Sequence, residues 1–199
     1  MQHYDEHVEC LSAHLERFFK DDEISVFHEV VSLDFHLDVF FIQPSDRKYN
    51  LLITSGMSLL KMTVPEMVES PEKYSFAELM ILLPKSIEFG PMHSVPEKND
   101  WIIAMLKQAA RFPHYCDTFI SIGHSLQATE DLQTYSPETN FAGCVFLPSP
   151  SLDKPFTEFN CGNDIINIYS VFPVYKNELE FKIQNGFDAF LDLIIKANP

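Results

Sequence analysis

Apolar residues recur along this chain at two different periods, and each period marks a kind of element. Over residues 4–20, Val8, Leu11, Leu15 and Phe18 fall three or four apart, which puts one apolar stripe on a helix. Asp21-Asp22-Glu23 interrupts it. Ile24, Val26, Val30 and Val31 then favour a strand over 24–31. Over 35–42, Phe35, Leu37, Val39 and Phe41 alternate with His36, Asp38 and Phe40, the period of a half-buried strand. Ser32-Leu33-Asp34 links the two, and a turn at 44–48 leads to a third strand over 49–54. Such short links predict an antiparallel meander, because parallel pairs need long crossovers.

The rest of the chain alternates in the same way. Residues 61–75 carry Pro65 and Pro71 and read as a loop with at most a helical turn. The nearly continuous apolar run 76–83 predicts a strand covered on both faces. A loop over 85–99 follows, then a helix over 100–112 with Trp101, Ile102, Met105, Leu106 and Ala109 on one face, Asn99 as N-cap and Pro113 as its stop. Strands are predicted over 118–122, 143–147 and 165–171, with a polar loop over 129–140. Near the end, Asn177 and Glu180 have the spacing of a capping box. Tyr175, Leu179 and Ile183 continue as a stripe, Gly186 stops it, and 187–195 forms a second amphipathic segment. This order predicts a single α+β domain over 1–199, with a mixed, largely antiparallel sheet flanked by helices.

Composition sharpens the picture. Apolar residues make up 46% of the 199, with 18 phenylalanines. A chain of this size buries roughly 70% of its unfolded surface, enough for a core without metal or disulfide support. The net charge is −15, from 29 acidic and 14 basic side chains. Such a surface repels phosphate backbones and anionic membranes, which disfavours nucleic acid and membrane as partners, and it attracts a basic protein. The charge also serves simply to keep a phenylalanine-rich protein soluble. Cys10, Cys116, Cys144 and Cys161 are scattered without metal-site spacing. With no hydrophobic signal core at the N-terminus, the expectation is a cytoplasmic protein with free thiols.

Candidate chemistry is sparse. His36 and Asp38 share a strand face, with His28 placed to lie opposite on the neighbouring strand. Imidazole and carboxylate at i, i+2 can share an ion, but the same pattern makes a polar outer face. Spacing indicates no third ligand, so no metal and no cofactor are expected. Phe40, on that same face, packs under a helix or marks a contact surface. Cys116 beside His114 could form a thiolate pair, but sequence neighbours on an extended segment point apart. Glu78 interrupts an apolar run. A buried carboxyl there could act as acid or base, or pair with Arg111, or accept backbone hydrogen bonds. No phosphate-binding glycine loop or nucleophile elbow occurs.

Several segments, in order, resemble the Suppressor of fused-like domain family. They are His36-Leu37-Asp38-Val39, Leu52-Ile53-Thr54-Ser55-Gly56-Met57-Ser58 with Met62 and Val64-Pro65, and Ala77-Glu78-Leu79-Met80-Ile81 with Leu83-Pro84. Trp101 then leads through Leu106 to Ala110-Arg111-Phe112-Pro113-His114. Thr118, Gly123-His124 and Pro173-Val174-Tyr175-Lys176-Asn177-Glu178-Leu179 complete the set, over about 25–190. The resemblance implies an α+β domain without established catalytic chemistry. In animals such domains carry a further C-terminal region and sequester a transcription factor. This chain ends just after the domain and looks like the stand-alone bacterial type, many of which are thought to be immunity proteins that neutralise toxins. The expected function is therefore non-catalytic protein binding, with a basic toxin as partner. The alternative is an enzyme or metal protein built on a Glu/Arg/His cluster. Candidate cleft or contact residues are Glu78, Arg111, His114, Gly123, His124, His36 and Asp38. Oligomeric state is left open by the sequence.

Overall fold

In a computed structural model, residues 6–32, 34–87, 89 and 97–197 are described. Their organising element is an eight-stranded mixed sheet. The expected three-strand meander forms β1 (Glu23–Phe27), β2 (Asp38–Gln43) and β3 (Tyr49–Ser55), and β4 (Phe76–Pro84) extends it, each antiparallel to the last. The second half supplies β5 (Ser125–Gln127), β6 (Phe141–Leu147), β7 (Glu158–Cys161) and β8 (Asp164–Tyr175). The order across the sheet is β1-β2-β3-β4-β8-β6-β5, with β7 paired to the start of β8. Among the described residues, only the β4–β8 junction is parallel.

Helices cover both faces. α2 (Asp100–Tyr115) packs Ile102, Met105, Leu106 and Ala109 over Leu79 and Ile81 of β4 and Phe146 and Val171 of the later strands. On the other face, α1 (Glu6–Phe18) and the short α3 (Lys154–Thr157) cover Leu51, Ile53, Met80 and Ile168. Farther along that face, α4 (Lys176–Asn185) and α5 (Phe187–Ala197) cover Val145, Leu147 and Val174. Alternate residues of β4, β6 and β8 therefore feed opposite layers, as a period of two requires. Phe40 is half-buried against the α1 layer, so it packs under a helix.

Several expectations move. The strands predicted over 24–31 and 35–42 stop at Phe27 and begin at Asp38, and 28–37 is a connection. Side chains replace the ladder there. Asp38 Oδ1 accepts the Glu29 N–H (2.8 Å), and Glu29 accepts the Leu37 N–H (3.2 Å). Pro113 lies inside α2 rather than after it. It falls in the last turn, so its missing N–H and its ring disturb only the Ala109 carbonyl near the helix end. Cys116 N–H on the Phe112 carbonyl and Thr118 N–H on the Pro113 carbonyl close the helix end. No strand forms over 118–122; the Thr118 carbonyl instead accepts Thr63 N–H. The cap of α4 lies two residues before the predicted one, where Glu178 accepts the Tyr175 N–H (2.8 Å). The loop expected over 85–99 falls largely outside the described residues.

The cysteines depart furthest from expectation. Cys10 in α1 and Cys161 at the end of β7 form a disulfide across 151 residues, while Cys116 and Cys144 are free. The stripe on α1 also turns slightly. It buries His7, Leu11, His14 and Leu15, with Val8 half-covered.

Candidate functional site

The Thr54–Ser58 segment sits where the β3–β4 ladder runs out, after the Ile53–Met80 pair. Beyond that point the Glu78 side chain takes over from the ladder. Oε1 accepts the Gly56 N–H (3.0 Å), the Ser58 N–H (3.0 Å) and the Ser58 hydroxyl (2.7 Å). Oε2 accepts the Thr54 hydroxyl (2.6 Å), whose oxygen in turn accepts Leu79 N–H (2.8 Å). Glu78 is wholly buried. Burial pushes its carboxyl above the ordinary range, against the opposing pull of Thr54, Ser58 and Gly56.

Two histidines hold the same segment from outside. His114 Nε2 lies 3.1 Å from the Met57 carbonyl, and His7 Nδ1 lies 2.6 Å from the Ser58 carbonyl. Burial pushes His114 down, so the ring is neutral and Nε2–H donates. The opposite ring nitrogen of His7 reaches Asp164 at 3.2 Å. Gly56 has φ +126°, and an added Cβ would stand 2.1 Å from the His36 carbonyl oxygen. Gly56→Ala should therefore destabilise the fold by about 2–3 kcal/mol, read as a lower urea midpoint with unchanged slope.

Arg111 pairs with Glu29, not with Glu78. Its Nη2 donates to both carboxylate oxygens (2.6 and 2.7 Å), and its guanidinium lies over the Phe35 ring. Burial pushes Glu29 up, but Ser32, Arg111, Leu37 and Lys107 together hold it below the ordinary range. His36 and Asp38 meet in this same loop, 2.8 Å apart, and His28 joins them. Gly123 and His124 sit against β6 rather than in either group. The Gly123 N–H donates to Phe146 O, and His124 packs edge-on against Phe119. The predicted residues thus divide into a frame around residues 54–58, a loop cluster at 28–38, and a separate β6 contact. Sequence reasoning missed His7, Glu29 and Ser32. His7 was legible from its spacing of four and eight to Leu11 and Leu15; Glu29 and Ser32 give no periodic signal.

A groove opens on the α1 face between its two helical covers. The β4–β8 pairing ends at Met80–Ser170, and both carboxyl-terminal strand ends run on apart. Leu82, Leu147, Pro148, Phe172, Leu191 and Ile195 line a cavity of about 450 Å³ there. Ser170 also lines it and is 6% exposed, yet among the described residues its hydroxyl has no hydrogen-bond partner. In open sheets ligands favour such crevices at strand carboxyl ends.

The family model described as Suppressor of fused protein (SUFU) matches residues 34–199. The chain belongs to that family. In solved structures the SUFU fold recurs. The crystal structure of a Sufu–Fu complex aligns with TM-score 0.61 and 14% identity, covering 94% of this chain and 82% of that one. The crystal structure of Drosophila Suppressor of Fused aligns with TM-score 0.50 and 14% identity, covering 85% of this chain and 37% of that one. At that identity the likeness is one of fold alone. No curated protein matches the sequence. SUFU membership accounts for the ordered motifs. Thr54, Gly56, Ser58 and Glu78 are parts of one hydrogen-bonded frame, with Arg111 and His114 on the helix that covers it.

Proposed function

We propose that this chain is a non-catalytic protein-binding domain that seats an apolar anchor of a basic partner in the groove beside α5. The observation that carries the reading is Ser170, a buried hydroxyl without a partner among the described residues, in a crevice lined mostly by apolar side chains. Such a site suits a ligand with apolar bulk and one polar group, as a peptide segment has. Asp188 and Asp192 stand seven and three residues before Ile195, beside its stripe on α5. That edge favours lysine or arginine flanking the anchor. Membership of a family with a structure solved in complex with Fu supports the same class of function. A toxin with a basic surface is the partner we favour, with this chain as its immunity protein. Glu78 argues against the enzyme alternative, since both its oxygens are already engaged.

Co-expression with the toxin encoded beside it should restore growth and yield a complex that weakens as salt rises. Ile195 is 59% exposed, so Ile195→Asn should leave folding intact and weaken binding about tenfold. Leu193→Asn, on the same helix outside the groove, should not. Equal losses would move the contact face elsewhere, and failure of any such partner to bind sinks the reading.

No described helix is long and apolar enough to cross a membrane. Cytoplasmic residence belongs to the proposal, and there Cys10 and Cys161 would stand as thiols. Acid-quenched alkylation of the protein from cells reads this directly.

A further inference from the structure

We propose that His28, His36 and Asp38 form a binding site for a divalent transition-metal ion, with Zn²⁺ the best match. β1 and β2 end and begin in register at Phe27–Val39, so His28 and Asp38 face each other one step beyond the ladder. His28 Nδ1 lies 2.9 Å from Asp38 Oδ2, and His36 Nε2 lies 2.8 Å from Asp38 Oδ1. The fold brings the three together through the excursion between two paired strands.

The hydrogen bonds around the trio fix its chemistry. The Ser32 hydroxyl donates to Glu29 Oε2 (2.8 Å), so its oxygen accepts from His36 Nδ1–H (3.1 Å). That leaves Nε2 as the ring atom turned toward Asp38 Oδ1. The 2.8 Å between Nε2 and Oδ1 is shorter than the about 3.3 Å between two ligand atoms of a tetrahedral ion, so the ring swings outward to admit the metal. A ligating histidine whose other nitrogen is tied, through a partner, to a carboxylate is the usual outer arrangement of a metal site. That outer support is itself braced, since Arg111 and Lys107 hold Glu29 and the Glu29 N–H orients Asp38.

Two imidazoles and one carboxylate make a borderline donor set that suits Zn²⁺. The ligand atoms lie within 4.8 Å of one another, against about 3.3 Å around a tetrahedral ion with bonds of about 2.0 Å. The rings of His28 and His36 are both more than half exposed, and small χ rotations close the gap. A fourth position stays open to water or to a side chain from outside.

Titration of chelator-stripped protein with zinc sulfate, followed by calorimetry, should give one site per chain. Co²⁺ in its place should give the visible absorption of a tetrahedral nitrogen–oxygen site. His28→Ala and His36→Ala should each weaken Zn²⁺ binding at least tenfold while leaving the metal-free melting temperature within a few degrees. Asp38→Asn tests the carboxylate, but it also disturbs the Glu29 support, so the histidine variants decide. No stoichiometric binding, or undiminished binding in the double histidine variant, overturns the proposal.

Discussion

Replacing Glu78 by alanine should cost the fold about 3–5 kcal/mol. The side chain is the common acceptor for Gly56 N–H, Ser58 N–H and the hydroxyls of Ser58 and Thr54. Removing it strands three buried donors at a place where no ladder can replace it, and leaves the Thr54 hydroxyl only the Leu79 carbonyl at 3.4 Å. Chemical unfolding of Glu78→Ala measures the loss, and a value below about 1 kcal/mol would mean that water enters and serves the same donors. Glu78→Gln is the milder probe. Its carbonyl can keep the three bonds of Oε1. Its amide can donate to Thr54, whose hydroxyl then turns to the Leu79 carbonyl at 3.4 Å. This variant isolates the charge. Burial holds the folded Glu78 carboxyl above its unfolded value of about 4.3. A raised folded pKa gives stability that is complete below the unfolded value and is lost as pH rises through the folded one. The stability of Glu78→Gln relative to the parent should therefore grow between pH 4 and pH 8. A flat or shrinking difference would show that the four donors outweigh desolvation.

Opening the Cys10–Cys161 bond has the second large effect. It closes a loop of 151 residues, and the chain-entropy account assigns such a loop about 4–5 kcal/mol. For a domain of this size that is a fall in melting temperature of about 10–15 °C. The Cys10→Ser/Cys161→Ser pair should show it, and so should the parent chain under reductant. A loss under about 1 kcal/mol in both would mean that α1 is held fully by Leu11, Leu15 and Phe19 in its own layer.

The contrast between these two sites explains how much was legible in the sequence. The meander, the buried β4 and the helix over its face follow from periods of two and three to four, which the burial of Leu51, Leu79 and Leu106 respects. The family frame was legible as an ordered set of short motifs, including Glu78 as a carboxylate needing partners. Its partners were not, because Thr54 and Ser58 are common turn residues whose role depends on where a ladder happens to stop. The Arg111 partner was missed for a similar reason. Glu29 lies in a segment whose valines read as strand, while Val30 and Val31 are in fact exposed. The side chains of Glu29 and Asp38 captured the backbone there and ended the strand early. The disulfide has no local signature at all, since its two halves stand at opposite ends of the chain.

The parallel pairing of β4 with β8 fixes when the domain can be finished during synthesis. Residues 23–84 can zip up as soon as they emerge, each strand against its predecessor. The strand that must lie beside β4 arrives only with residues 166–170, after about eighty more residues have been made. Until then the apolar edge of β4 has no neighbour, and an unpaired hydrophobic edge is a template for association between chains. A ribosome stalled inside that interval would hold a half-built sheet that is sticky on the side where the finished one is seamless.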